Sequence, residues 1–91
     1  MESVRDDLAV VFEKIQVKAG ESQLPEMDDV KELVRLSRLL QHNADEDWVA
    51  EAEDFTLLAQ KLFHAVKRDD LEDSIIVVDQ LEEIFRLLPE E

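Results

Sequence analysis

An antiparallel four-helix bundle of up-down-up-down order is the fold this 91-residue sequence predicts. Three observations carry that reading. Apolar residues recur three and four apart along four separate segments, the period of a helix with one buried face. One glycine and two prolines are the whole stock of backbone punctuation, and all three fall at the borders of those segments. The connections are therefore short, which favours neighbours in sequence packing as antiparallel neighbours in space.

The first helix is expected over about residues 4–19, with Val4, Leu8, Val11, Phe12, Ile15 and Ala19 on one stripe. Ser3 stands as its N-cap and Asp6 as the capping-box acid, while Gly20 suits the left-handed residue just past the end. The second follows Pro25 over about 26–41 and buries Val30, Leu33, Val34, Leu36, Ser37 and Leu40. After a loop at 42–46, the third runs over about 47–68 with Trp48, Ala52, Phe55, Ala59, Leu62 and Val66 on one face. It ends in Lys67-Arg68, cations at the negative end of the helix dipole. The fourth is capped by Asp69 or Asp70, carries Asp70, Glu72 and Asp73 at its positive end, and is stopped near Leu88 by Pro89. Helices three and four thus form an electrostatically matched hairpin. Four β-branched residues, Ile75 to Val78, argue for a strand. The helical stripe of Leu71, Ile75, Val78, Leu81, Phe85 and Leu88 around them overrides it.

Composition excludes several functions. With 24 acidic and 10 basic residues the net charge is −14, which repels nucleic-acid phosphates and anionic lipid head groups. Neither a nucleic-acid nor a membrane partner is expected. No cysteine is present, which removes disulfides, thiolate metal sites and covalent haem through CxxCH. At 45% hydrophobic the chain is too apolar for a disordered acidic tail, and its length suits one domain over 1–91. The opening Met-Glu-Ser-Val-Arg-Asp-Asp holds acids where a signal peptide carries a basic region, and no apolar run approaches 18 residues. A cytoplasmic location is expected.

Chemistry-bearing patterns are sparse. A carboxylate-bridged metal centre in a bundle needs ExxH turns, whereas Leu39 precedes His42 by three and Lys61 precedes His64 by three. Six acids, Asp45, Glu46, Asp47, Glu51, Glu53 and Asp54, surround Trp48 without the turn glycine of a calcium loop. They read as a solvated helix start, or as an acidic patch for a basic partner with Trp48 as anchor. A single glycine leaves no phosphate loop and no GxSxG. No enzyme activity, metal or cofactor is expected.

Helix four has the widest apolar arc, with Val77, Leu81, Ile84 and Leu88 spread beyond a single core stripe, either deeply buried or forming an interface. Val10, Val17 and Leu57 lie opposite the core stripes of their own helices. Residues 69–91 hold nine acids and one base, so more than half of the net charge belongs to the same segment.

The run Leu62-Phe63-His64-Ala65-Val66-Lys67-Arg68-Asp69-Asp70-Leu71-Glu72-Asp73, with Ile84-Phe85-Arg86 beyond it, resembles the last hairpin of cytochrome c′-like four-helix bundles and of the small bacterial domains named for an XXXCH motif. Matched on Phe85-Arg86, the two haem-attachment cysteines would fall on Val78 and Leu81 and the axial histidine on Glu82. The resemblance therefore implies a bundle that has lost covalent haem, of a kind that often dimerises. By angle Glu82 falls within the apolar arc, a candidate buried acid needing Arg35, Arg38 or Arg86 as partner.

The expected function is a non-enzymatic interaction protein, homodimeric or docking another protein, with Val77, Leu81, Ile84, Leu88 and Trp48 as candidate contacts. On that reading Val77→Asp or Ile84→Asp would split a dimer more than unfold the chain. The alternatives are a non-covalent ligand or haem carrier, and an acidic nucleic-acid mimic that captures a basic protein.

Overall fold

The four periodic segments fold as four helices in a computed structural model that describes residues 4–88. They are α1 (Val4–Gly20), α2 (Met27–His42), α3 (Val49–Lys67) and α4 (Leu71–Phe85), with no strand among the described residues. The expected cap at Ser3 and stop at Pro89 lie outside those residues. Consecutive helices pack on one another and α1 closes more lightly on α4, so the architecture is the all-α four-helix bundle. Side-chain contacts show the alternation of direction. Thr56 meets Ser37 between α3 and α2, while Leu57 shares a groove with Ile84 and Arg68 one with Asp73 and Ile76 between α3 and α4.

Leu8, Phe12, Ile15, Val30, Leu33, Phe55, Leu62 and Leu81 occupy the centre, all essentially without exposure. Three rings knit α1, α3 and α4 together. Phe12 stands edge-on to Phe55 at 5.9 Å between centroids, and Phe85 lies 5.3 Å from Phe12 and 6.0 Å from Phe55. The Arg5 guanidinium covers the outside of Phe85 at 4.7 Å, a cation on the negative face of a ring.

Small residues let α3 approach its neighbours. Ala52, Ala59 and Ala65 are buried there, with Thr56 facing Ser37 on α2 and Ser74 buried on α4. Each hydroxyl has an acceptor: Ser37 donates to the Leu33 carbonyl at 2.6 Å and Ser74 to the Asp70 carbonyl at 2.9 Å. The Thr56 hydroxyl lies 2.9 Å from the Ala52 carbonyl and 3.2 Å from that of Ser37, a polar link that fixes the register of α3 on α2. Thr56, Ala65 and Ser74 stand outside the expected stripes, and their burial follows from the close approach of α3 to its neighbours.

Helix ends differ from expectation in three places. Gly20 is the last residue of α1, without positive φ, and Ser22 takes the left-handed position at φ 57°. The Gln23 amide then donates to the Lys18 carbonyl at 2.9 Å and Ser22 to Ala19 at 3.0 Å, closing the helix two residues later than a glycine cap would. Trp48 stands at the N-cap of α3 without a capping side chain. The α4 helix ends at Phe85 rather than near Leu88, and Leu87 and Leu88 donate to carbonyls three residues back, a tightened turn. That turn sends Leu88 into the core and leaves Leu87 outside.

The α3–α4 joint follows expectation. Asp69 adopts φ 60°, Arg68 pairs with Asp73 at 3.1 Å, and the Asp70 carboxylate accepts the Asp73 amide at 3.0 Å. Asp70→Ala is expected to cost about 1 kcal/mol, the usual worth of an N-cap, read as a lowered urea midpoint with an unchanged slope. The run Ile75 to Val78 is helical, because Val77 and Val78 gain burial there that a lone strand would not find.

Candidate functional site

Placing the candidate contacts in the bundle separates them. Val77 and Leu88 are 4% exposed and Leu81 is fully buried, so these three are core, with only the edge of Val77 reaching the groove between α3 and α4. This corrects the interface reading of the wide arc: α4 packs against both α3 and α1, and two neighbours occupy a broader arc than one. Ile84 is half-buried and lines the outer groove between α3 and α4. Trp48 is half-buried with its ring packed on the core, so it is a packing residue at the start of α3 rather than a free anchor. Glu82 is not a buried acid. It lies at the rim, 39% exposed, and accepts from Arg86 at 2.7 Å one helical turn away, the partner that the sequence had offered third.

The exposed apolar side chains are elsewhere: Val10 and Val17 on α1, Leu39 on α2, Leu57 on α3, Ile76 on α4, and Leu87 beyond it. Leu57 and Ile76 flank the outer face of α3 and α4. At one end a groove of about 430 Å³ is lined by Leu57, Leu58, Lys61 and Ile84. At the other, one of about 440 Å³ is lined by Lys61, His64, Arg68, Ile76 and Gln80. Lys61 and His64 belong to both, so the two are one trough. Its α3 wall follows Leu57, Lys61, His64 and Arg68, spaced four, three and four, the outer row of a helix. The crest of α4 follows Glu72, Ile76, Asp79 and Glu83 at the same spacing, all exposed. The α3 wall carries Lys61 and Arg68 together with Asp54, and the α4 wall carries Asp73, with apolar residues on each.

Helix α2 carries a second charged row. Lys31, Arg35, Arg38 and His42 are again spaced four, three and four, all exposed. Glu32 pairs with Arg35, and its hydrogen bond and charge push the guanidinium pKa up. Beside this row, a cleft of about 370 Å³ opens between α2 and α3, with Val34 and Phe63 as apolar lining and Lys31, Arg38, Gln60 and His64 around it. Charges summed by segment hid this row, because Asp28, Asp29 and Glu32 on the same helix offset its cations. The four-three-four spacing of the cations was the signal that could have found it.

Among the described residues no group of three or more His, Asp or Glu side chains is arranged to hold a metal ion. Nor is any described helix long and apolar enough to cross a membrane. Geometry defines the class as an all-α four-helix bundle. Comparison with protein-family models, curated proteins and solved structures finds no match for the chain.

Proposed function

We propose that the chain is a non-enzymatic interaction protein of the cytoplasm that pairs with a second copy of itself through the outer face of α3 and α4. The observation that carries this is the self-complementarity of that face. Lys61 and Arg68 line its α3 side beside Asp54, Asp73 lines its α4 side below the exposed crest of Glu72, Asp79 and Glu83, and Leu57, Ile76 and Ile84 are its apolar residues. A two-fold axis along the trough lays α3 of one copy on α4 of the other at the same height. Leu57 then meets Ile84, and Arg68 meets the acidic start of α4. A standard interface takes about 800 Å² from each partner. One broad side of a bundle measuring 35 × 24 × 18 Å supplies an area of that order.

Light scattering tests the reading. The wild type is expected at the mass of two chains, and Leu57→Asp with Ile76→Asp at the mass of one with unchanged helical circular dichroism. A wild type that stays at one chain at millimolar concentration overturns it. The haem-carrier reading gains no support from the positions that suggested it, since Val78 and Leu81 fill the core and Glu82 pairs with Arg86. The nucleic-acid mimic needs an unbroken carboxylate row, and on α4 Ile76 interrupts it.

A further inference from the structure

We propose that the cationic row of α2, with the cleft it shares with α3, is a second docking surface whose occupant is an acidic amphipathic helix of a different protein. The proposal does not rest on the dimer reading, since Lys31, Arg35 and Arg38 belong to α2, although Gln60 and His64 of α3 border both surfaces. Lys31, Arg35, Arg38 and His42 span twelve residues, about 16 Å along the axis at a rise of about 1.5 Å per residue. Glu32 is held by Arg35, whereas Lys31 and Arg38 have no ion pair or hydrogen bond among the described residues. In a chain of net charge −14, Lys31 and Arg38 are thus cations left without an ion pair, on a helix that also carries Asp28, Asp29 and Glu32.

Length and lining select the occupant. A small carboxylate would engage one pair of cations and leave the rest of a three-turn row unused. A helix presenting carboxylates four, three and four apart meets the whole row. Val34 and Phe63 in the cleft, and Leu39 at 39% exposure on the far side of the row, call for apolar side chains between those carboxylates. Nucleic acid offers none at that spacing.

The crest of this chain's own α4 has the matching pattern, which raises the question of a second copy. Helices α2 and α4 have no close backbone approach and sit at opposite corners of the bundle. Two copies therefore do not satisfy both rows in one two-fold dimer, and α4 on α2 would propagate head to tail as a ring or an open chain. A separate protein carrying such a helix fills the row one to one.

The test is fluorescence anisotropy with a labelled alanine-based helical peptide bearing glutamates in the four-three-four spacing and leucines between them. The wild-type chain is expected to bind it with an affinity that falls as salt rises. Reversing two charges, Lys31→Glu with Arg38→Glu, is expected to weaken binding about tenfold with helical content unchanged, since each reversal replaces an attraction of ordinary surface strength by a repulsion. The Leu57→Asp, Ile76→Asp variant, which carries the dimer test, is expected to bind as the wild type does. No binding, equal binding of a glutamine version of the peptide, or equal binding by the charge-reversed variant overturns the proposal. Preference for a DNA oligonucleotide or for phosphatidylserine vesicles also overturns it, as does salt-sensitive chain growth of the wild type that the reversal abolishes.

Discussion

Phe55→Ala is expected to lower the free energy of unfolding by about 3–5 kcal/mol, the range for deleting a buried ring that its surroundings cannot refill. Against the roughly 5–15 kcal/mol that holds a typical small domain together, that is a fifth or more of the total. Phe55 has no exposed surface, and its ring touches Phe12 on α1 and Phe85 on α4. Removing it breaks both contacts at once and leaves a void where three helices meet. Refilling is hard because Leu8, Ile15 and Leu62 are themselves fully buried and held from behind. Urea unfolding followed by circular dichroism measures the effect as a midpoint shift. Leu57→Ala, two residues away and 58% exposed, is the control and should stay within about 0.5 kcal/mol of wild type. A loss under about 1 kcal/mol for Phe55→Ala would contradict the packing described.

Two adjacent residues should behave in opposite ways when each becomes aspartate. Val77→Asp is expected to unfold the chain, because a carboxylate at a 4%-exposed site has no cation within the core and its desolvation costs several kcal/mol. Ile76→Asp is expected to leave stability nearly unchanged, because Ile76 is 49% exposed and its new carboxylate stays in water. Far-UV circular dichroism separates the two, with helix lost in the first and retained in the second. This reverses the sequence-based expectation for Val77, in which aspartate there would split a dimer and spare the fold. Retained helix in Val77→Asp would place the outer face of α4 one residue further along than the structure does.

How much was legible in the sequence follows the range of the interactions involved. Helix α4 was readable almost residue by residue at its start, since an Asp70 cap, acids in the first turn and an Arg68–Asp73 pair all act within five positions. Its far end was not. Leu88 continues the stripe but reaches the core through a tightened turn rather than a longer helix. Gly20 misled for a related reason: glycine tolerates a left-handed cap better than serine, yet Ser22 holds that position, where its amide and that of Gln23 reach carbonyls at the helix end. Of the site, the exposure of Leu57 and the shared groove at Ile84 were foreshadowed, whereas Ile76 and the cations of α2 were not.

By itself the sequence determined four helices, their order, their short antiparallel connections and a chain whose charge is concentrated in its last quarter. These follow from period, caps and composition, all of them set by residues near one another in the chain. Only the tertiary structure decided which part of a broad apolar arc is core, because that depends on how many neighbours a helix has and on which sides. It also decided that Val77, Leu81 and Leu88 face inward while Ile76 faces out, and that Glu82 meets Arg86 at the rim. The same holds for charge. A net value belongs to the chain, but attraction depends on distance, and only packing brought the cations of α3 beside the carboxylates of α4 and left those of α2 facing solvent.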